Sequence, residues 1–356
     1  MLATAPLAGG APVQLGGGRR QARTGWCAGT RGAAGGGVPR LERLRGGAIQ
    51  ENWALDACCR GGRLDGSHTL VLRTDAPTRV PLSWNRAQEF RILEIASRAG
   101  VTVPEPIALC QDASVIGRMF FLMRRIAGEA RGHLLVRDPM VRARGDAIAA
   151  RLGAELARLH RVAPPVGGLE FIPVPHGPAA LARIALYRCH LDTIDAAECV
   201  LEWALAWLER HAPAEVPPRL IHADFRTGNF LLHEGALTAV LDWEFASFGD
   251  PTEDLGWMLG RYWRFGADEQ EAGGIGSREA LLGGYEAEAG RAVDRTTIAY
   301  WEVMGTVRWA VIALLQAERH RTGGEHSLEL ALTGHIVPVL EMDLMRRVRE
   351  IEATGR

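Results

Sequence analysis

The sequence predicts an α+β protein of two lobes, a small β-rich N-terminal lobe and a larger, mainly helical C-terminal lobe. Three observations carry this. The 356 residues are 47% hydrophobic, enough to bury cores for about two domains. From Leu41 to Met123 short β-type runs surround a single helical pattern. Beyond that point apolar residues recur at helical spacing.

The elements follow in order. Residues 1–40 are rich in Gly, Ala, Pro and Arg, with no acidic residue before Glu42. Such a segment buries too little apolar surface to offset its ordering entropy, so a disordered leader is expected. Its Arg-rich, acid-free character also resembles an organelle transit peptide, although a loose N-terminus is the simpler reading. Residues 41–126 form the expected N-lobe. There Gly46-Gly47 lies between strands, Thr69–Arg73 is a compact β run, and a helix begins at Ser83 and ends near Arg98. Residues 127–356 form the expected C-lobe. Its first helix starts at Asp138-Pro139 and carries Ile148, Leu152, Leu156 and Leu159 on one stripe. Further helices are expected over residues 196–210, 296–321 and 327–349, the last bent at Pro338.

Charge and composition narrow the function. Against 41 basic side chains stand 42 acidic ones, a net charge of −1, which argues against binding nucleic acid through a general basic field. No apolar run reaches the roughly 18 residues of a membrane span. Six cysteines show no C-x-x-C spacing and read as free thiols of a reducing cytoplasm. Every basic residue is arginine, and asparagine occurs only at 52, 85 and 229. Any role of an ammonium side chain must therefore fall to a guanidinium.

The chemistry-bearing stretch is Leu220 to Trp257. Ile221-His222-Ala223-Asp224-Phe225-Arg226-Thr227-Gly228-Asn229 leads into the apolar run Phe230-Leu231-Leu232. A turn at His233-Glu234-Gly235 then leads to a second run ending at Asp242. Two β runs around a glycine turn make a hairpin, which brings Asn229 near Asp242 with Asp224 a short loop away. Oxygen groups of this kind suit phosphoryl transfer. Asp242 and the Asn229 carbonyl would hold Mg2+, a hard cation. Asp224 would accept the proton of an attacking hydroxyl, and Arg226 would meet the γ-phosphate. Glu244 is either a second metal contact or a surface carboxylate. Asp250-Pro251-Thr252-Glu253 reads as a helix start, and Asp254 as a brace for the loop.

H-x-D-x-x-x-x-N followed by L-D-W-E and G-D-P resembles the aminoglycoside phosphotransferase and choline kinase-like family, which shares the protein-kinase fold. It is most similar to the kinase-like domains related to those fused to acyl-CoA dehydrogenases. The resemblance runs from about Leu41 to Met345 and implies ATP and Mg2+ as cofactors. It implies that Asp224 is the base, that Asn229 and Asp242 take the metal, and that His222 braces the loop. It further implies that Gly46 and Gly47 cover the nucleotide phosphates, that Arg73 replaces the strand lysine on the α and β phosphates, and that Glu89 is its helix partner. The strand containing Met123 and Arg125 would bind adenine through its backbone. Ile49 departs from the small hydroxyl residue of many members, and a planar guanidinium at 73 is no neutral exchange for an ammonium.

Only seven residues separate Asp242 from Asp250, which leaves no room for a peptide-docking segment. A small-molecule hydroxyl acceptor is expected, either aminoglycoside-like or a hydroxyacyl compound. The alternative is a nucleotide-binding pseudokinase acting as a regulatory module. Sequence leaves the oligomeric state open.

Overall fold

The computed structural model describes residues 35–44, 50–62, 64–75, 83–194, 198–322 and 328–354. Two compact units emerge. The first runs to Ile95 and resumes over Pro104–Ile126; the second holds Ala96–Val103 and everything from Ala127. The bilobal α+β expectation is met by a protein-kinase-like fold.

The first unit is a five-stranded antiparallel sheet in the order β1-β2-β3-β5-β4. Its strands are β1 (Gly35–Arg43), β2 (Gln50–Arg60), β3 (Gly66–Asp75), β4 (Pro106–Cys110) and β5 (Phe120–Arg124). One face buries Leu55, Leu70, Leu72, Phe120 and Leu122. Because side chains alternate along a strand, Val71, Arg73 and Phe121 point to the other face, where α1 (Arg86–Arg98) sets Phe90 5.7 Å from Phe121. Strand β1 includes Gly35 to Arg40, residues assigned above to the leader. The reason is pairing: from Gly35 to Arg43 the segment lies against Trp53–Arg60, and ladder hydrogen bonds order a stretch whose composition alone would not. The glycine pair at 46–47 and Ile49 lie outside the described residues.

In the second unit, α2 (Gly132–Leu135), α3 (Pro139–Ala143) and α4 (Gly145–Leu159) come first. Asp138 caps α3 at Met140 N, 2.7 Å. The predicted stripe Ile148, Leu152, Leu156 and Leu159 is buried on α4, but Arg144 interrupts the helix expected to run through it. Next are α5 (Ala179–Thr193), α6 (Cys199–Arg210), the short strands β6 (Arg219–Ile221), β7 (Phe230–His233), β8 (Ala236–Val240) and β9 (Ser247–Gly249), and α7 (Thr252–Leu259). The rest is α8 (Arg278–Ala289), α9 (Arg295–Thr322), α10 (Leu328–Gly334) and α11 (Val337–Thr354). Pro338 lies in the first turn of α11, where a missing N–H costs nothing; it starts a new helix instead of bending a long one.

Helix α9 is the centre of this unit. Val303, Met304, Val307 and Val311 pack with Leu201 and Leu205 of α6 and Leu340 and Leu344 of α11. It is long and apolar enough to cross a membrane, contrary to the estimate from runs, but 72% of its apolar window is buried, as in a core helix. Small residues set how closely α4 and α8 approach. A Cβ on Gly153 would stand 2.0 Å from Leu281 O, and one on Gly284 2.0 Å from Ala150 O. Only glycine fits both places.

Candidate active site

The loop from His222 to Asn229 is fixed from three directions. Strand β6 before it pairs with β9, and β7 after it pairs with β8 with Phe230 opposite Val240. The turn between β7 and β8 is Glu234-Gly235, with φ of 50° and 69°. Two successive residues with positive φ match the right-handed twist of a tight hairpin. At the open end Leu241 N donates to Asn229 O at 2.7 Å, so Asn229 and Asp242 are brought to the same end of the hairpin, as its spacing predicts.

The third support comes from α7. Asp254 is fully buried, and its Oδ2 accepts from His222 N (2.7 Å) while Oδ1 accepts from Ala223 N (2.8 Å). His160 Nε2 lies 3.1 Å from Oδ2. Burial alone would raise this carboxyl's pKa. The His160 hydrogen bond, the neighbouring imidazoles and the His222 N–H outweigh burial and hold it below the ordinary range. Ala223 has φ 58°, a left-handed conformation that costs an alanine about 1 kcal/mol or more. Asp254 thus holds the kink that turns the chain toward Asp224. His222 completes the brace: Asp224 N donates to Nδ1 (3.2 Å), which leaves the proton on Nε2 for Leu241 O at 2.8 Å.

The Asp224 carboxylate, 8% exposed, is held by three side-chain donors. Asn229 Nδ2 donates to Oδ2 at 2.6 Å, Arg226 Nε to Oδ1 at 3.2 Å, and Trp257 Nε1 to Oδ1 at 3.0 Å. Asn229 therefore joins Asp224 as expected, through its amide nitrogen. Arg226 is the cation expected to meet the γ-phosphate. It turns back onto Asp224, and its guanidinium stacks 4.4 Å over the Trp263 ring. Trp257 carries no signal in the sequence that sets it apart from the other tryptophans. It is core, yet its one polar atom serves the aspartate. Asp242 is half-buried with φ 67°, and Glu244 is buried, which removes the surface reading for that carboxylate. Asp250 is a cap: Oδ1 accepts from Thr252 N at 2.8 Å and Oδ2 from Trp301 Nε1 at 3.3 Å.

In the first unit Arg73 grips Glu89 with both ends, Nε to Oε2 at 3.1 Å and Nη2 to Oε1 at 2.9 Å. The pair is buried, not a surface ion pair. A second cation shares Glu89: Arg86, wholly buried, also binds it and reaches Asp75 at 2.8 Å. Met123 pairs with Val71 across β3 and β5. Arg125 N donates to Thr69 O at 3.1 Å, so that N–H is engaged within the unit.

Among the described residues no group of three His, Cys, Asp or Glu could hold a metal by itself. Magnesium does not require one, since one or two carboxylates with substrate phosphate and water suffice. The oxygen-only set of Asn229, Asp242 and Glu244 fits that hard cation.

A β-sheet unit and a helical unit carrying this loop define the protein-kinase-like phosphotransferase fold. Residues 40–291 match the APH phosphotransferase enzyme family, and the chain belongs to that family. Acyl-CoA dehydrogenase family member 11 of Pongo abelii is 29% identical over 296 residues, 78% of this chain and 37% of the relative; the chain thus spans little more than a third of that relative's length. A Ralstonia eutropha JMP134 structure assigned to the aminoglycoside phosphotransferases superposes with a TM-score of 0.71 at 23% identity, covering 93% of this chain and 98% of the other. A choline/ethanolamine kinase family protein from Mesorhizobium loti gives 0.57 at 20% identity over 95% and 98%. A ternary complex of aminoglycoside phosphotransferase APH(4)-Ia with AMP-PNP and hygromycin B gives 0.53 at 16%, over 86% and 94%.

Proposed function

We propose that this chain is a Mg·ATP-dependent O-phosphotransferase acting on the hydroxyl of a small molecule. The observation that carries the reading is the Asp224 carboxylate, fixed by Asn229, Arg226 and Trp257 beside a hairpin that ends at Asp242. Asp224 takes the acceptor's proton as the acceptor oxygen bonds to the γ-phosphorus and the bond to the β-phosphate oxygen breaks, releasing ADP. Arg226 orients Asp224 and adds positive charge beside the transferred group. Asn229, Asp242 and Glu244 would hold magnesium, which supplies charge neutralisation at the phosphate oxygens. By the family resemblance, Arg73, oriented by Glu89, would meet the α and β phosphates, Gly46 and Gly47 would also serve the phosphates, and the Met123 backbone would serve adenine; the Arg125 N–H is already given to Thr69 O. The AMP-PNP complex of a relative in fold supports a nucleotide here. The five described cysteines are thiols that form no disulfide, which supports a cytoplasmic setting.

The acceptor is better read as a hydroxyacyl compound than as a polycationic aminoglycoside. A polycation needs carboxylates to spare. Asp268 is paired with Arg261 (2.8 Å), Glu271 with Arg278 (3.1 Å), Glu286 with Arg295 (2.5 Å) and Glu288 with Arg158 (2.9 Å). A pseudokinase module would have no use for three donors on Asp224. The test is Mg·ATP consumption over hydroxy acids, their thioesters and amino sugars, with wild type, Asp224→Asn and Asp242→Ala. Turnover with a hydroxyacyl acceptor that both variants lose is expected. Neither turnover nor thermal stabilisation by Mg·ATP in wild type would sink the reading; stabilisation alone would favour the module.

A further inference from the structure

The second unit contains a cavity of about 1100 Å3 that includes none of Asp224, Asn229 or Asp242. This is the upper end of small-molecule site volumes. Much of its wall is apolar, with Val216, Pro217, Ala289 and Val293 beside Trp207 and Tyr300. Its charges are unequal in their engagement. The two carboxylates on the wall are committed to helix starts: Asp250 holds Thr252 N, and Asp294 holds Thr296 N at 3.0 Å. The third arginine on the wall, Arg161, is paired with Glu288. Arg219 and Arg291, by contrast, have no carboxylate partner among the described residues. An apolar body with one anionic group would satisfy both kinds of wall.

The back of the cavity leads to the catalytic loop. Tyr285 and His160 both line it. The Tyr285 hydroxyl lies 3.0 Å from His160 Nδ1, and the other imidazole nitrogen reaches Asp254, which holds the N–H groups of His222 and Ala223. Burial raises Tyr285 to about 12, with the Arg291 charge opposing, so the hydroxyl stays a neutral link. A single lining side chain, His160, thus links the cavity to the carboxylate that braces the loop, with Tyr285 fixing its other nitrogen.

We infer that this cavity is a second ligand site, for a small organic anion with an apolar body, and that its occupancy stiffens the His222–Ala223 turn through Tyr285, His160 and Asp254. The inference does not require that the chain transfer phosphate. Benzoate, phenyl phosphate and benzylamine are the probes, titrated calorimetrically into the full chain, its Arg219→Gln/Arg291→Gln variant and an Ala289→Trp variant that puts an indole into the apolar part of the space. Both anions should bind wild type and weaken at least tenfold in both variants, while benzylamine should not bind. Tighter binding of phenyl phosphate marks a phosphate monoester as the natural ligand, and the reverse order a carboxylate. Hydrogen exchange at residues 222–224 should slow at least twofold with saturating benzoate in wild type, and not in His160→Gln. Equal binding of benzylamine, anion binding that survives both variants, or exchange that benzoate leaves unchanged would overturn the proposal.

Discussion

Glu89 and Asp254 are both buried carboxylates, one in each unit, and they are satisfied by opposite means. Glu89 is held by two guanidiniums, Arg73 and Arg86. Asp254 is held by two backbone N–H groups and an imidazole. A charge satisfied by side chains can be rebalanced, because losing one arginine leaves the other. A charge satisfied by backbone instead fixes the path of the chain, and its loss orphans donors that cannot move away. The first arrangement places a cation; the second shapes a loop.

Substitutions can break or sharpen this contrast. The largest effect is expected at the group the loop exists to aim: Asp224→Asn should lower phosphoryl transfer by about 10²–10⁴-fold, measured as kcat, with Mg·ATP stabilisation retained. Asp254→Ala should come next, losing roughly 2–6 kcal/mol by leaving two buried N–H groups unpaired at about 1–3 kcal/mol each, read by urea unfolding. Arg73→Gln should cost less than the roughly 3–5 kcal/mol of a broken buried pair, because Arg86 still neutralises Glu89. If it costs as much as Asp254→Ala, the redundancy ascribed to the double pair is wrong. Trp257→Phe, which removes one donor from Asp224, should lower kcat about tenfold or less, on the order of 1 kcal/mol, with KM for ATP unchanged.

Acidity gives a further handle. Asp254 is held below the ordinary carboxyl range, so its stabilisation is complete above the unfolded value of about 3.9 and drains away as pH falls through the lower folded value. Unfolding free energy measured from pH 6 downward should therefore fall less steeply in Asp254→Asn than in wild type. An unchanged slope would mean that the buried carboxylate is not what titrates.

Much of this was legible in the sequence where local chemistry is strict. Glu234-Gly235 has few ways to turn, so the hairpin and the meeting of Asn229 with Asp242 followed from spacing alone. Asp250 announced a helix start because proline and small caps cluster there. Helix α5 escaped notice: Arg183, Tyr187, Arg188 and His190 interrupt any clean apolar stripe. Arg86 escaped for another reason. An arginine in a first helical turn normally points to water, and nothing local announces that Asp75 and Glu89 enclose it. Trp257 shows the same limit, since no pattern separates a core indole from one whose nitrogen meets a catalytic candidate. The β1 boundary was missed because its partner strand, not its composition, creates it.

Arg73 has an analytical consequence. Nucleotide-site proteins are often found with reagents that acylate a primary amine near the phosphates. A guanidinium, protonated at any working pH, does not react with them, and this chain has no lysine elsewhere to substitute. Surveys built on amine labelling would pass over a competent nucleotide binder of this composition, so detection must rest on affinity instead of covalent capture.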